Sequence, residues 1–469
     1  MYDVIFVGFY KINYMTIEQF INDYSQELTE GTAAYFVGAG ISKPSKLPDW
    51  PELLKPHAAK IKVEDLTGKD LPLIAQYVIN EETGNRGPFI NAVSKKLRKK
   101  FSPNSYHESI VKTNIRTIWT TNYDNLLETA FGNSNIDVKI TDDAISRDVP
   151  NVQVKIIKMH GCIFNSHRND IVITQSDYED FFIKRPATAQ RLQMDLLQKS
   201  FLFIGYGYGD TNIKNIITEA RRLSNNATRQ HYLITTTQPG EEFNLWCKNL
   251  NRYGIKVIEI PNYGELDRIL ETLALKSRGK SIFITGAHNK KSIPDVPKIA
   301  TALAMEDEIV LNDGQSTGVM RVAARAYMEK VIERQADISK RLKFYPNPYA
   351  ANPRFTDDVS LLPVLKQWRS ALFKATQVVV AFDGGMGTQA EIEIALECGC
   401  IVIPFIKDAN VPFWKCLDNA TLIQRIEKYD KTYIGKVRKG NATAADVIAL
   451  ILTVFEIKQD EKKGSKPRS

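Results

Sequence analysis

Short apolar runs alternate with segments of helical periodicity along most of the chain. In the first half the apolar runs predict strands at residues 33–37, 115–120, 152–158, 201–205, 232–235 and 256–260. In the second half they predict strands at residues 281–286, 309–311, 342–345, 377–382 and 400–404. Helical segments lie between them, such as residues 177–199, 212–223 and 265–275. This alternation is typical of an α/β fold with mainly parallel sheets covered by helices.

A short polar break near residue 279 separates the two alternations. Because 469 residues exceed the usual size of one hydrophobic core, we expect two domains, residues 15–277 and residues 280–457. Residues 1–14 precede a natural helix start, so we expect them to be an N-terminal extension. Residues 458–469 are polar and charged, which predicts a disordered basic tail.

Composition narrows the class of protein. A hydrophobic content of 43% and a charged content of 25% are ordinary for a globular protein, and no apolar stretch has the length of a membrane span. We therefore expect a cytoplasmic protein without membrane contact. The net charge of +8 is spread along the chain, and its densest cluster, residues 95–100, is interpreted as a solvated helix end rather than a nucleic-acid surface. The five cysteines form no Cys-x-x-Cys pair, so we expect no metal.

Glycines and polar residues follow four of the strands predicted in the first half. The segments are Gly38-Ala39-Gly40-Ile41-Ser42, Thr121-Asn122-Tyr123-Asp124, His160-Gly161 and Gly205-Tyr206-Gly207-Tyr208-Gly209-Asp210. Glycines allow a backbone to approach a diphosphate closely, and a carboxamide at the end of a strand can bind a ribose or a water molecule. Taken singly, each segment has a simpler interpretation: a tight turn, a cap for a helix at 125–131, or a structural histidine.

Taken together and in this order, these segments resemble the sirtuin-type NAD-binding family over about residues 17–275, which implies a Rossmann-like fold. The resemblance implies that His160 acts as a base on the ribose and that Asn122, with Asp124 close by, contacts the nicotinamide riboside. It further implies NAD+ contacts at Gly38, Ala39, Gly40, Ser42, Gly205 and Asp210. Gly207 stands where the family usually has a serine, so the contacts at 205–210 depart from the family pattern.

The absence of cysteine pairs helps to decide which reaction the first half catalyses. Protein deacylases that this half resembles carry a zinc ribbon of two cysteine pairs, so the resemblance implies that water replaces acetyl-lysine and that NAD+ is hydrolysed to nicotinamide and ADP-ribose. A histidine side chain ordinarily has a pKa of about 6.5, so this residue type at position 160 suits proton transfer near neutral pH. Whether His160 or Asn122 is the group that activates water stays open. A NAD-dependent deacylase and a nucleotide sensor without turnover are the alternatives.

A second glycine-rich loop lies in the other half, at residues 383–391, where a predicted strand runs into a helix. Backbone N–H groups of such a loop can bind phosphate, while close packing at a helix start is the simpler interpretation. This half resembles the SLOG superfamily, also Rossmann-like, with Asp383 in place of the family's proline. Ser370 stands where active phosphoribohydrolases have a lysine, which favours binding without turnover. The implied nucleotide site comprises Gly286, Ala287, Arg369, Gly384, Gly385, Gly387, Thr388 and Glu391.

The combination of the two halves resembles the effectors of the Thoeris antiphage system. This resemblance implies that a partner with a TIR domain makes a cyclic ADP-ribose isomer, that the SLOG domain binds this signal, and that the sirtuin-like domain then depletes NAD+. It also implies a homo-oligomer, a tetramer or a larger assembly. A ligand activates in this way only if it binds the active arrangement more tightly than the inactive one.

Overall fold

The computed structural model describes residues 15–82, 84–132, 135–164, 170–206, 211–223, 229–287, 292–315, 318–347 and 369–457. The chain divides into two compact units between Ser277 and Arg278. The predictions for residues 1–14 and 458–469 lie outside the described residues.

The N-terminal unit is built on a seven-stranded parallel sheet. Its strands are β1 (Ala33–Val37), β2 (Thr117–Thr120), β3 (Ile136–Lys139), β4 (Val154–Lys158), β5 (Ser200–Ile204), β6 (His231–Thr236) and β7 (Ile255–Ile260). They are arranged in the order β3-β4-β2-β1-β5-β6-β7. The order changes direction beside β1, and such a switch point leaves a crevice at the carboxyl ends of the strands.

Helices cover both faces of this sheet. Their bounds are Ile17–Glu30, Trp50–Ala58, Leu71–Glu81, Arg86–Leu97, Ser105–Lys112, Leu126–Phe131, Asp142–Ile145, Gln175–Glu179, Phe181–Lys184, Pro186–Gln198, Thr211–Leu223, Glu241–Asn251 and Gly264–Lys276. Side chains alternate between the faces of a strand, so Tyr35 and Val37 join one buried cluster while Ala34 and Phe36 join another. A third cluster holds the helices between residues 50 and 97 together and includes Tyr123 from the loop after β2.

The C-terminal unit contains a five-stranded parallel sheet. Its strands are β8 (Ser281–Thr285), β9 (Val310–Asp313), β10 (Leu342–Phe344), β11 (Val378–Phe382) and β12 (Ile401–Phe405), in the order β10-β9-β8-β11-β12. The helices of this unit include Val296–Ala304, Val319–Glu333, Ile338–Arg341, Met386–Glu397, Ala420–Glu427, Tyr433–Arg438 and Ala444–Val454. The switch point of this sheet lies between β8 and β11.

The two parallel sheets confirm the predicted α/β fold with mainly parallel strands. Two local predictions differ from the structure. Strand β3 was not predicted, because Asp137 and Lys139 interrupt its apolar pattern; their buried side chains form an ion pair 2.8 Å long instead. Residues 177–199, predicted as one helix, fall within three helices that begin at Gln175, Phe181 and Pro186. Proline lacks an N–H donor and therefore favours the start of a new helix at this point.

Within the residues that the structure describes, no helix has both the length and the apolar character needed to cross a membrane.

Candidate active site

The loops that follow β1, β2, β4 and β5 meet at the carboxyl edge of the N-terminal sheet. They border a cavity of about 820 Å³ whose lining includes most of the predicted NAD-site residues: Ala39, Gly40, Ser42, Asn122, Asp124, His160 and Gly205. Gly38 is not among the lining residues, and Asp210 lies outside the described residues. The position agrees with the general rule that ligands of parallel α/β sheets bind at a switch point.

The glycines after β1 are required by the backbone that faces them. The N–H groups of Gly38 and Gly40 donate to the carbonyl oxygens of Ile204 and Gly205, each at 2.9 Å. A Cβ atom on Gly38 would lie 2.3 Å from the Gly205 oxygen, and Gly205 itself has a left-handed φ of +60°. These glycines therefore allow the loops after β1 and β5 to pack together. Their contact with a diphosphate stays a prediction.

Ser42 connects several buried polar groups beneath the cavity. Its hydroxyl donates to Asp124 Oδ2 at 3.0 Å and accepts a longer bond, 3.4 Å, from Asn122 Nδ2. The ring nitrogen Nε2 of His107 lies 3.5 Å from the same hydroxyl. Because the His107 Nδ1 atom accepts the backbone N–H of Asn104 at 3.3 Å, its proton lies on Nε2, facing Ser42.

The sequence analysis did not identify His107. Burial lowers its pKa, and the Asp124 carboxylate only partly opposes that effect, so the imidazole stays neutral at pH 7. The available signal was the spacing Asn104-x-x-His107, a capping pattern at the start of the helix Ser105–Lys112. Because that pattern is explained by helix capping alone, it did not point to the site.

Asn122 presents an unsatisfied acceptor. Its Nδ2 group donates to the Gly38 oxygen at 3.3 Å as well as to Ser42, which fixes the direction of the side-chain amide. Its Oδ1 atom is buried and makes no hydrogen bond within the described part of the chain. A buried acceptor without a donor is unfavourable by about 1–3 kcal/mol. A hydroxyl group of a ribose or a water molecule in the cavity would remove this penalty.

Asp124 has a structural function beside its place at the cavity. Its Oδ1 atom accepts the N–H of Leu126 at 3.0 Å, so one carboxylate oxygen caps the helix Leu126–Phe131 while the other binds Ser42. The formal N-cap residue of that helix is Asn125, whose side chain makes no capping bond. Helix capping by Asp124 is therefore confirmed, while its contact with NAD+ stays a prediction.

His160 is buried in the loop after β4, with 3% of its surface exposed. Tyr178 and Phe181 meet the imidazole edge-on, with ring centroids 5.4 and 6.3 Å away. The next residue, Gly161, has a left-handed φ of +86° that turns the chain. The Tyr178 and Phe181 rings thus pack against the His160 ring, which borders the same cavity as Asn122.

In the C-terminal unit the predicted signal-site residues surround the switch point between β8 and β11. Arg369 Nη2 pairs with Glu391 Oε1 at 2.5 Å, and its Nη1 donates to the Gly314 oxygen at 3.1 Å. Glu391 Oε2 accepts the Thr285 hydroxyl at 2.6 Å. The structure therefore brings Arg369 and Glu391 together, and both carboxylate oxygens already have partners. Phosphate binding by Arg369 and ribose binding by Glu391 stay predictions.

The glycines after β11 differ in their surroundings. A Cβ atom on Gly384 would lie 2.3 Å from the Thr388 hydroxyl, so Gly384 is needed for the loop to close on its helix. A Cβ atom on Gly385 or Gly387 would meet no described atom within 4 Å, so this side of the loop is open to a ligand. Gly286 and Ala287 follow β8, where the Ala287 N–H donates to the Asp383 oxygen at 3.0 Å.

Asp383 replaces the family's proline with a structural carboxylate. The side chain is fully buried and accepts the backbone N–H groups of Ser292, Lys407 and Asp408 at 2.8–3.1 Å. It therefore joins the loops that follow β8, β11 and β12. Sequence reasoning noted the replacement but did not identify this function, since the donors are 24–91 positions away along the chain.

All five cysteines are free thiols. Within the described ranges, no three or more His, Cys, Asp or Glu side chains are grouped so that they could hold a metal ion.

Comparison with known proteins adds to this geometry. Residues 116–258 match the model of the SIR2-like domain family. The chain is 32% identical over 286 residues to the NAD(+) hydrolase ThsA of Bacillus cereus (strain MSX-D12), an alignment that covers 58% of this chain and 60% of that protein. It is 27% identical over 419 residues to the ThsA protein of Acinetobacter baumannii (strain 532279), covering 81% and 85%. The Defense-associated sirtuin 2 of Bacillus subtilis is 24% identical over 223 residues, 46% of this chain and 22% of that protein.

The alignment with the Bacillus cereus protein thus spans about three fifths of that protein's length, whereas the weaker similarity to the Acinetobacter baumannii protein extends over both units of the chain. The chain is therefore similar to the NAD(+) hydrolase ThsA proteins, and its N-terminal half contains a SIR2-like domain.

Proposed function

We propose that this chain is an NAD+ glycohydrolase that acts in antiphage defence. The observation that carries the proposal is the buried, unsatisfied Asn122 Oδ1 in the cavity that His160 also lines. The names of the relatives, NAD(+) hydrolase ThsA and Defense-associated sirtuin 2, support the same substrate and the same biological setting.

The reaction breaks the bond between nicotinamide and the ribose C1′ atom. The bonding electrons leave with nicotinamide, the ribose becomes oxocarbenium-like, and water adds at C1′ and loses a proton. Asn122 Oδ1 accepts a hydrogen bond from a ribose hydroxyl or from the attacking water. His160 accepts the proton, either from the ribose or from the water. Positioning is the main contribution, because the leaving group is neutral.

We further propose that the C-terminal unit is a SLOG domain and that a cyclic ADP-ribose isomer, made by a TIR-domain protein, binds there and activates cleavage. The open faces of Gly385 and Gly387 support a phosphate site, with Arg369 as the nearby cation. The molecule would act as a cytoplasmic homo-oligomer. Mass photometry with and without the signal tests that assembly.

The test is nicotinamide release from NAD+ by the purified full chain, measured by chromatography with and without cyclic ADP-ribose isomers. Cleavage that rises with the isomer is the expected result. Cleavage that does not respond would remove the signal from the proposal. No cleavage, together with NAD-dependent removal of acetyl groups from an acetyl-lysine peptide, would replace the hydrolase with a deacylase.

A further inference from the structure

A buried lysine lies directly behind the candidate active site. Lys158 is the last residue of β4, two positions before His160, and only 1% of its side chain is exposed. Removing an ammonium group from water costs several kcal/mol unless charged and polar partners replace the water. The partners of Lys158 therefore indicate its function.

Those partners belong to the segment that carries Asn122. The Lys158 Nζ group donates to the backbone oxygen of Asp124 and to Glu128 Oε1, the latter at 2.9 Å. Burial alone lowers the pKa of Lys158, but its interactions with Glu128 first, and then with Cys162 and Asp124, overcome this effect, and the pKa lies above its ordinary value. The lysine thus stays charged and holds its two acceptors together.

The contact adds a side-chain bond to the backbone bonds that join the loops after β2 and β4. The pairing of β2 with β4 ends at Thr120 opposite Lys158. Beyond it, the Met159 N–H donates to the Thr120 oxygen and the Ile163 N–H to the Tyr123 oxygen, each at 3.1 Å. Lys158 adds a side-chain bond to the next carbonyl in that loop, at Asp124.

We propose that Lys158 is a positioning residue: through the Asp124 carbonyl it sets the position of the Asn122 loop relative to His160. This inference rests on the proposed glycohydrolase function. Lys158 is not among the residues that line the cavity, so it acts through the loop and not on the substrate. A displacement of about 1 Å in a positioned reacting group can cost about 100-fold in rate.

The experiment replaces the ion pair as a whole. Lys158→Met alone leaves the Glu128 carboxylate buried without its cation, and such a variant can fail to fold. The double variant Lys158→Met, Glu128→Leu exchanges the pair for apolar groups, a change that often preserves stability. We expect it to remain folded, with kcat for NAD+ cleavage at least tenfold lower and KM changed less than threefold.

The structure offers a matched control on the neighbouring strand. Lys139 is also buried, pairs with Asp137 Oδ2 at 2.8 Å and donates to the backbone oxygen of Arg147, but it does not line the cavity. The double variant Lys139→Met, Asp137→Leu therefore makes the same chemical exchange away from the site. We expect it to retain the wild-type kcat at a similar melting temperature.

Amide hydrogen exchange of the peptide spanning residues 119–128 tests the position of the loop independently of NAD+ cleavage. We expect faster exchange in this peptide for the Lys158 double variant and no change for the Lys139 control. A folded Lys158 double variant with wild-type kcat and unchanged exchange would overturn the positioning function. If the wild-type chain does not cleave NAD+, the proposed function fails, and the exchange data alone decide whether Lys158 holds the loop.

Discussion

At the scale of single residues, the orientation of the Asn122 side-chain amide determines which of its two polar atoms a ligand could contact. The Gly38 oxygen and the Ser42 hydroxyl accept bonds from Asn122 Nδ2, and the opposite atom, Oδ1, has no hydrogen-bond donor among the described residues. This arrangement depends on a buried network that also includes Asp124 and His107. A nitrogen in the place of Oδ1 would offer a ligand a donor where the proposed reaction needs an acceptor.

The first prediction concerns the two residues that border the cavity. Asn122→Ala and His160→Ala are each expected to lower kcat for NAD+ cleavage by about 100-fold or more, because one removes a positioned acceptor and the other a base. Steady-state kinetics and thermal melting of both variants check this. A folded His160→Ala variant that retains substantial cleavage would remove His160 from the reaction and leave Asn122 as the group that positions water.

At the scale of elements, the packing of the loops after β1 and β5 explains why glycines stand there. Gly38→Ala would place a methyl group 2.3 Å from the Gly205 oxygen and 2.7 Å from the Tyr206 Cα atom, which are backbone atoms with little freedom to move. We expect a loss of about 1–3 kcal/mol in the free energy of unfolding and a strong loss of cleavage.

Gly435→Ala is the matched control for that variant, since Gly435 lies inside the helix Tyr433–Arg438 and, apart from that helix's own backbone, no described atom lies within 4 Å of the added methyl group. Alanine there is expected to raise stability by about 0.4–1 kcal/mol. Urea unfolding of the two variants compares them directly. Equal stability of the Gly38→Ala variant and the wild type would contradict the close-packing explanation.

A buried histidine in strand β6 makes the free energy of unfolding depend on pH. His231 is fully buried, its Nδ1 atom accepts the N–H of Phe201 at 3.2 Å, and burial, together with nearby Arg229, lowers its pKa to about 3. Between pH 6.5 and pH 3 the unfolded chain binds a proton that the folded chain excludes. His231 should therefore contribute a fall of about 1.4 kcal/mol per pH unit to the free energy of unfolding as the pH decreases through this range.

His231→Gln removes this contribution, so its unfolding free energy should depend less steeply on pH below 6.5 than that of the wild type. Urea titrations at several pH values between 4 and 8 measure the difference. Parallel curves for the two proteins would mean that His231 does not stay neutral in the folded state.

The elements also show what the sequence could predict. Apolar runs such as residues 33–37 predicted their strands closely, because parallel strands are buried on both faces. The edge strand β3 was missed because Asp137 and Lys139 face inward as an ion pair. The site loops were predicted from their place after strands. The Ser42–His107 contact was not predicted, because it joins residues 65 positions apart and leaves no periodic signal in the sequence.

At the scale of the whole molecule, the proposed coupling needs a signal site that is separate from the site of cleavage. Arg369→Ala should abolish activation by a cyclic ADP-ribose isomer, since it removes the cation beside the glycine loop and leaves Glu391 with Thr285 as its partner. Isothermal titration with the isomer and stimulated NAD+ cleavage are the measurements. Arg325→Ala, which changes an exposed arginine paired with Glu329, is the surface control. Full activation of the Arg369→Ala variant would place the signal elsewhere.

The central claim is that the cavity bordered by Asn122 and His160 hydrolyses NAD+. The most direct measurement is nicotinamide release by the purified full chain in the presence of a cyclic ADP-ribose isomer, compared with the Asn122→Ala variant. We predict stoichiometric release of nicotinamide and ADP-ribose by the wild type and a loss of at least 100-fold in the variant. Equal cleavage by both proteins, or none by the wild type with or without the isomer, would contradict the claim.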